Sequence, residues 1–232
     1  MKNDTISAVY SPHIPDLLSA PEWQKAKAED FFWLKPDHFE FWSEERKKNV
    51  GEFLREKAQI KILWNEEYLA FGVSMEDSDI VAEGTQKDNQ TLLYTKGDIV
   101  EIFIKPVDAP YYWELYGTPN ELKSILFYPS RGRLLVPSTL DQNPEEITVK
   151  TQLYGTLNDW TTVDTGWDMV MKVPLRMLSK YGKKLESGQW TIMAGRQNYS
   201  YSLPMKEESC YPPLATSDFH NTEDYALLLL EK

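Results

Sequence analysis

A chain of 232 residues, 41% of them hydrophobic, can bury a core without covalent staples, and its lone cysteine, Cys210, cannot form an internal disulfide. Thirty-six Asp and Glu against 25 Lys and Arg leave a formal charge of −11. That field repels nucleic acid and anionic membrane surfaces, and no basic cluster longer than Arg46-Lys47-Lys48 interrupts it.

No window approaches the ~18 apolar residues of a membrane span, and Met1 to Ser7 holds no signal-like apolar run, so a soluble chain is expected. The first periodic element is helical. Ser43 is suited to cap a helix over Glu44 to Lys57, with Val50, Phe53 and Leu54 on one stripe. From residue 58 onward a period of two takes over. Ala58 to Trp64 and Tyr68 to Met75 read as a hairpin turning at Glu66-Glu67. Further strands are expected at Asp98 to Lys105, Tyr111 to Tyr116 and Ser124 to Tyr128. Others follow at Ile147 to Tyr154, Trp167 to Val173, Trp190 to Gln197 and Tyr225 to Leu230. Each is short, rich in β-branched or aromatic residues, and bounded by Pro, Gly, Asn or Asp. Pro174 to Tyr181 suits a single helical turn stopped by Gly182, and Pro129 to Glu146, with three prolines, a long surface loop. The sum is one all-β domain over 1–232, an antiparallel β-sandwich of two sheets (immunoglobulin-like or jelly-roll-like) with a few short helices.

Catalytic motifs are missing. There is no Gly-x-Ser-x-Gly elbow and no phosphate-cradling glycine loop, and His13, His38 and His220 are not spaced for zinc. Glycoside hydrolysis needs only two carboxylates at a set separation; Glu76, Asp77, Asp79, Asp98, Glu101 and Glu114 are the candidates. Asp98 and Glu101, three apart on a strand, point to opposite faces and cannot pair by themselves. The cluster Glu76-Asp77-Ser78-Asp79 ends a strand and offers hard oxygen ligands, Asp77 and Asp79 among them, of the kind that suit a structural calcium. An aromatic content of 13%, with eight Trp and thirteen Tyr, supplies rings both for sheet packing and for stacking on sugars.

Six blocks in order resemble the family 9 carbohydrate-binding modules. They are Pro21-Glu22-Trp23 with Ala26, the hairpin Ile60 to Asp77, and Gly97 to Ile104 with its Asp-x-Val-Glu core. Tyr111 to Leu115, Trp167 to Leu178 and the closing run Asp218 to Leu227 complete the set. The resemblance spans nearly the whole chain, with insertions at about 36–57 and 129–146. It implies a β-sandwich that binds oligosaccharide or polysaccharide without cutting it, frequent calcium, and a secreted, periplasmic or cell-surface life beside polysaccharide-degrading enzymes, acting as a monomer. A cytoplasmic address is also compatible with the single cysteine.

The resemblance further implies a clamp of two rings around one pyranose. It points to Tyr94, ahead of the Asp-x-Val-Glu block, and to Phe219, before the last strand; both positions are usually Trp in the family. Arg196, Gln197 and Asn198 fall where the family places hydrogen-bonders to the sugar edge, with Trp113, Trp160 and Tyr199 as further aromatic candidates. Two other readings remain open. One is a glycoside hydrolase or its accessory domain. The other is a haem-carrying sandwich, whose axial ligands would come from Met75, Met169, Met171 or Met193 with His220.

Overall fold

The computed structural model describes residues 4–135 and 137–232. The chain is mostly β, with a few short helices. Its strands are β1 (Thr5–Tyr10), β2 (Glu29–Asp30), β3 (Phe32–Trp33), β4 (Ala58–Trp64), β5 (Tyr68–Met75), β6 (Ile99–Pro106), β7 (Tyr112–Gly117), β8 (Lys123–Tyr128), β9 (Thr148–Leu153), β10 (Trp167–Pro174), β11 (Trp190–Asn198), β12 (Glu207–Tyr211) and β13 (Ala226–Glu231). The main hydrogen-bonded path runs β8-β7-β6-β11-β13-β1-β4-β5-β10-β9, with β12 on β11 and β3, and β2 on β4.

The sequence reading of two purely antiparallel sheets differs from this in one element. β1 runs parallel to both neighbours, with Thr5 opposite Leu227 on β13 and Ala8 opposite Ile62 on β4. It therefore bridges the two halves, and hydrogen bonding runs unbroken through one large mixed sheet.

Side-chain alternation sorts the strands into faces. Ile60 and Ile62 of β4, Phe71 and Val73 of β5, Ile102 and Ile104 of β6, Trp113 and Leu115 of β7, and Met169 and Met171 of β10 all point into one shared core. The opposite face of β6, β7, β8 and β11 carries a second cluster with Phe103, Tyr112, Tyr116, Tyr128 and Met193. On the other side, the outer face of β4, β5 and β10 is covered by the N-terminal segment through Ile14 and Trp23. That cover lies flat because β5 carries Gly72, where a Cβ would come within 2.9 Å of the Trp23 ring.

The first helix is shorter than predicted, and the second forms where expected. α1 (Glu44–Val50) is capped as expected, with the Arg46 amide donating to Ser43 Oγ at 3.2 Å. It stops at Gly51, whose φ of +85° breaks the helical path, and Phe53, expected on its apolar stripe, is 63% exposed. α2 (Leu175–Leu178) follows Pro174 and runs into a 3-10 turn that closes at left-handed Gly182.

Candidate carbohydrate-binding site

The second cluster opens into a groove of about 560 Å³, walled by Tyr94, Tyr116, Tyr128, Gln197, Phe219 and His220. This volume is in the range of small-molecule sites. Both insertions contribute to the rim, Asp37 from the first and Gly132 and Leu134 from the second.

Tyr94 and Phe219 are both on this wall, brought there from positions far apart in the chain. Tyr94 lies on a 3-10 turn (Leu93–Thr95) anchored by buried Leu93, and the residue is 38% exposed. The phenol of Tyr199 donates to the Tyr94 carbonyl at 2.9 Å, fixing that turn. Phe219 is half-buried and meets Phe103 edge-on at 6.2 Å. Its carbonyl accepts from the buried Tyr225 phenol at 2.7 Å. Room for the Phe219 ring exists because β11 carries Gly195 beneath it: a Cβ there would lie 2.7 Å from the ring. His220 is held by Tyr112, whose phenol lies 2.7 Å from Nδ1.

The three consecutive candidates on β11 part company, as strand alternation requires. Gln197 faces the groove. Its amide donates to Glu101 Oε1 at 2.5 Å, and its carbonyl accepts from Lys206 at 2.9 Å, so its orientation is set before any ligand arrives. Arg196 and Asn198 point the other way. Arg196, 1% exposed, pairs with Asp77 at 3.1 Å and donates to the Glu56 carbonyl at 3.1 Å. Asn198 donates to the Glu56 carboxylate. These two residues tie β11 to the segments at Glu56 and Asp77; they do not meet the groove. Trp113 is likewise turned into the core, against Phe127 at 4.9 Å and Tyr181 at 5.8 Å. Trp160 packs on Tyr201 outside the groove.

The sequence reading named two further carboxylates only as candidate hydrolytic acids and did not place them in the sugar groove. Glu101 and Glu114 line the groove floor, and both are buried. Glu101 shares its face with Ile99 and Phe103, and Glu114 shares its own with Tyr112 and Tyr116. A carboxylate at a position whose neighbours two residues away are apolar is the signal that would have assigned them to this buried face. Burial first, and then the adjoining Glu114 carboxyl, raises the Glu101 pKa well above the usual carboxylate range.

Of the acidic residues expected to suit calcium, Asp77 is fully engaged and Asp79 in part. Asp77 accepts from the Asp79 amide at 3.1 Å, from Trp167 Nε1 at 3.2 Å and from Arg196. Asp79 accepts from the Tyr201 amide at 2.7 Å, and its other oxygen is buried without a donor among the described residues. Among the described residues no three His, Cys, Asp or Glu side chains converge as a metal site. The cation at Asp77 is Arg196. Met75, Met169 and Met171 pack in the shared core and Met193 in the second cluster.

No known family profile matches the sequence, and no curated protein gives a significant match. The structure does have close counterparts. A candidate carbohydrate-binding protein from Bacteroides uniformis ATCC 8492 superposes with a TM-score of 0.67 at 11% identity, over 99% of this chain and 100% of that one. A family 9 carbohydrate-binding module from Caldicellulosiruptor kristjanssonii in complex with cellotriose gives 0.64 at 12% identity, over 98% and 94%. A structure of such a module from the same organism in complex with glucose gives 0.62 at 13% identity, over 98% and 96%. The chain thus has the fold of the family 9 carbohydrate-binding modules over nearly its full length, as the six sequence blocks implied.

Proposed function

We propose that this chain is a non-catalytic carbohydrate-binding domain that holds a sugar ring or chain end in the groove between Tyr94 and Phe219. The observation that carries the reading is the meeting of these two rings with a pre-oriented Gln197 in one groove. A pyranose has apolar C–H faces and a rim of hydroxyls. Flat rings bury the faces, while Gln197 and Glu101 exchange hydrogen bonds with the rim. Tyr and Phe offer less area than the Trp usual in such clamps, so affinity is expected to be modest.

The Caldicellulosiruptor modules of the same fold were captured with cellotriose and glucose, which makes β-linked glucose units the first ligands to try. We place the protein outside the cytoplasm, acting as a monomer beside enzymes that degrade polysaccharide. No helix among the described residues is long and apolar enough to cross a membrane.

The test is a calorimetric titration against glucose, cellobiose, cellotriose and xylo-oligosaccharides, with Phe219→Ala as control. Loss of the ring's stacking is expected to weaken binding by roughly 2- to 12-fold, the equivalent of about 0.5–1.5 kcal/mol. No binding to any of these glycans or to their amino-sugar counterparts would overturn the reading. Release of shorter sugars from cellotriose on prolonged incubation would move the protein to the hydrolases, with Glu101 and Glu114 as the pair to examine.

A further inference from the structure

The strands beneath the groove are almost wholly apolar, which makes their two carboxylates conspicuous. On β6 and β7 Glu101 faces Tyr116, and Glu114 faces Phe103. The two are diagonal neighbours on one face, with exposures of 3% and 2%. Glu101 has a donor in Gln197. Glu114 lines the groove, yet its buried Oε2 has no hydrogen-bond partner among the described residues. Leaving a buried carboxylate oxygen without a donor is costly, and the cost is recovered when a ligand supplies one.

The rest of the wall adds negative charge and no positive charge. Asp37, Glu208 and Asp218 line the groove, and no Lys or Arg does so among the described residues. The rim acids have outside partners: Glu208 pairs with Lys206 at 2.6 Å, and Asp218 lies 3.7 Å from Arg131. Asp37 accepts from the Ser217 hydroxyl. Glu114 has no ion pair among the described residues; its neighbours are the Glu101 carboxyl and the Tyr116 and Tyr128 phenols. A carboxyl group with no cationic partner and one free oxygen, at the bottom of an aromatic-walled groove, matches a ligand that is flat-faced and cationic.

We propose that the preferred ligand is an amino sugar, a hexose unit carrying a free, unacetylated amine, whose ammonium docks on Glu114. This rests on the carbohydrate-binding reading and names its substrate class. An ammonium brings three donors and a charge, and hydrogen bonds between charged partners are about twice as strong as neutral ones. A neutral hydroxyl supplies one donor without the charge. An N-acetyl group supplies one N–H with no charge and greater bulk. A uronic acid carboxylate brings a second negative charge to Glu114 and no donor for its free oxygen.

The test compares glucosamine oligosaccharides with cello-oligosaccharides of equal length, their N-acetylated counterparts and glucuronic acid. Calorimetry is run at about pH 6, where an ordinary amine is protonated. The amino sugars are expected to bind about tenfold more tightly than the cello-oligosaccharides, and glucuronic acid not at all. In Glu114→Gln the amino-sugar and cello-oligosaccharide affinities are expected to converge. Equal wild-type affinity for the two series would overturn the amino-sugar assignment while leaving sugar binding intact, as would a preference that survives in Glu114→Gln. Should that variant fail to fold, the wild-type comparison decides alone. Silence of the wild-type protein towards every sugar would overturn both this assignment and the carbohydrate reading beneath it.

Discussion

Replacing Arg196 with methionine separates two roles for one residue. By resemblance Arg196 belongs to the sugar edge; in the structure it is the buried cation facing Asp77, with Glu56 close by and Asp98 adjoining Asp77. Methionine fills similar volume but leaves Asp77 without its counter-charge. Breaking a buried ion pair by removing one partner costs about 3–5 kcal/mol. For a domain of this size each kcal/mol lowers Tm by roughly 2–4 °C, so Arg196→Met is expected to melt about 6–20 °C lower. The deficit should depend on pH with a definite sign. Burial raises Asp77 to about 6, and the Arg196 charge is the largest influence pulling it down. A folded value above the unfolded one means that the Asp77 contribution is complete below about pH 4 and is lost as pH climbs through about 6. Removing Arg196 pushes Asp77 higher still. The variant's deficit should therefore be largest at neutral pH and shrink towards about pH 5, where Asp77 holds its proton. Scanning calorimetry of both proteins across that range is the assay. A variant that melts with the wild type yet no longer binds sugar would refute the structural role and return Arg196 to the ligand.

Gly195→Ala places a methyl against the Phe219 ring, at 2.7 Å from its nearest atom before relaxation. It is expected to lower stability by about 1–3 kcal/mol and to displace the clamp, weakening sugar binding to a degree comparable with Phe219→Ala; chemical denaturation and titration of the same sample check both. Chelation with EDTA is expected to leave Tm unchanged, because the Asp77 oxygens are already occupied by Arg196, Trp167 and the Asp79 amide. A Tm that rises on calcium addition would contradict this. Gln197→Ala removes the donor held by Glu101 and a hydrogen bond to the sugar edge, and a loss of about 5- to 10-fold in affinity is expected by titration.

The strands were legible because short amphipathic or wholly buried runs announce themselves by period and by their turns. Ala58–Trp64 and Tyr68–Met75 form at their predicted limits, and the other predicted strands lie within a residue or so of theirs. β1 and β12 were not legible. Thr5–Tyr10 has the alternation of a strand but no turn or hairpin partner nearby in sequence, since its partners are β13 and β4. Glu207–Tyr211 opens with two glutamates and owes its pairing to β11 and β3. In the site, Tyr94, Phe219 and Gln197 converge on one groove. The same alternation that predicts a strand also assigns Arg196 and Asn198 to the face opposite Gln197, so parity alone could have separated the three. Trp113 and Glu114 are separable by the same rule, one to the core and the other to the groove.

The parallel bridge made by β1 also governs when the domain can form during synthesis. Thr5 must find Leu227, so β1 waits for a partner made much later in the chain. Until β13 emerges, one edge of β1 has no ladder to join, and the face carrying Ile6 and Ala8 stays wet. Hairpins such as β4–β5 and β7–β8 can close locally, but joining the two halves is a long-range event of the kind that slows folding and exposes nascent chains to aggregation. Any fusion or truncation that delays or removes residues 226–231 would hold the molecule open at this seam.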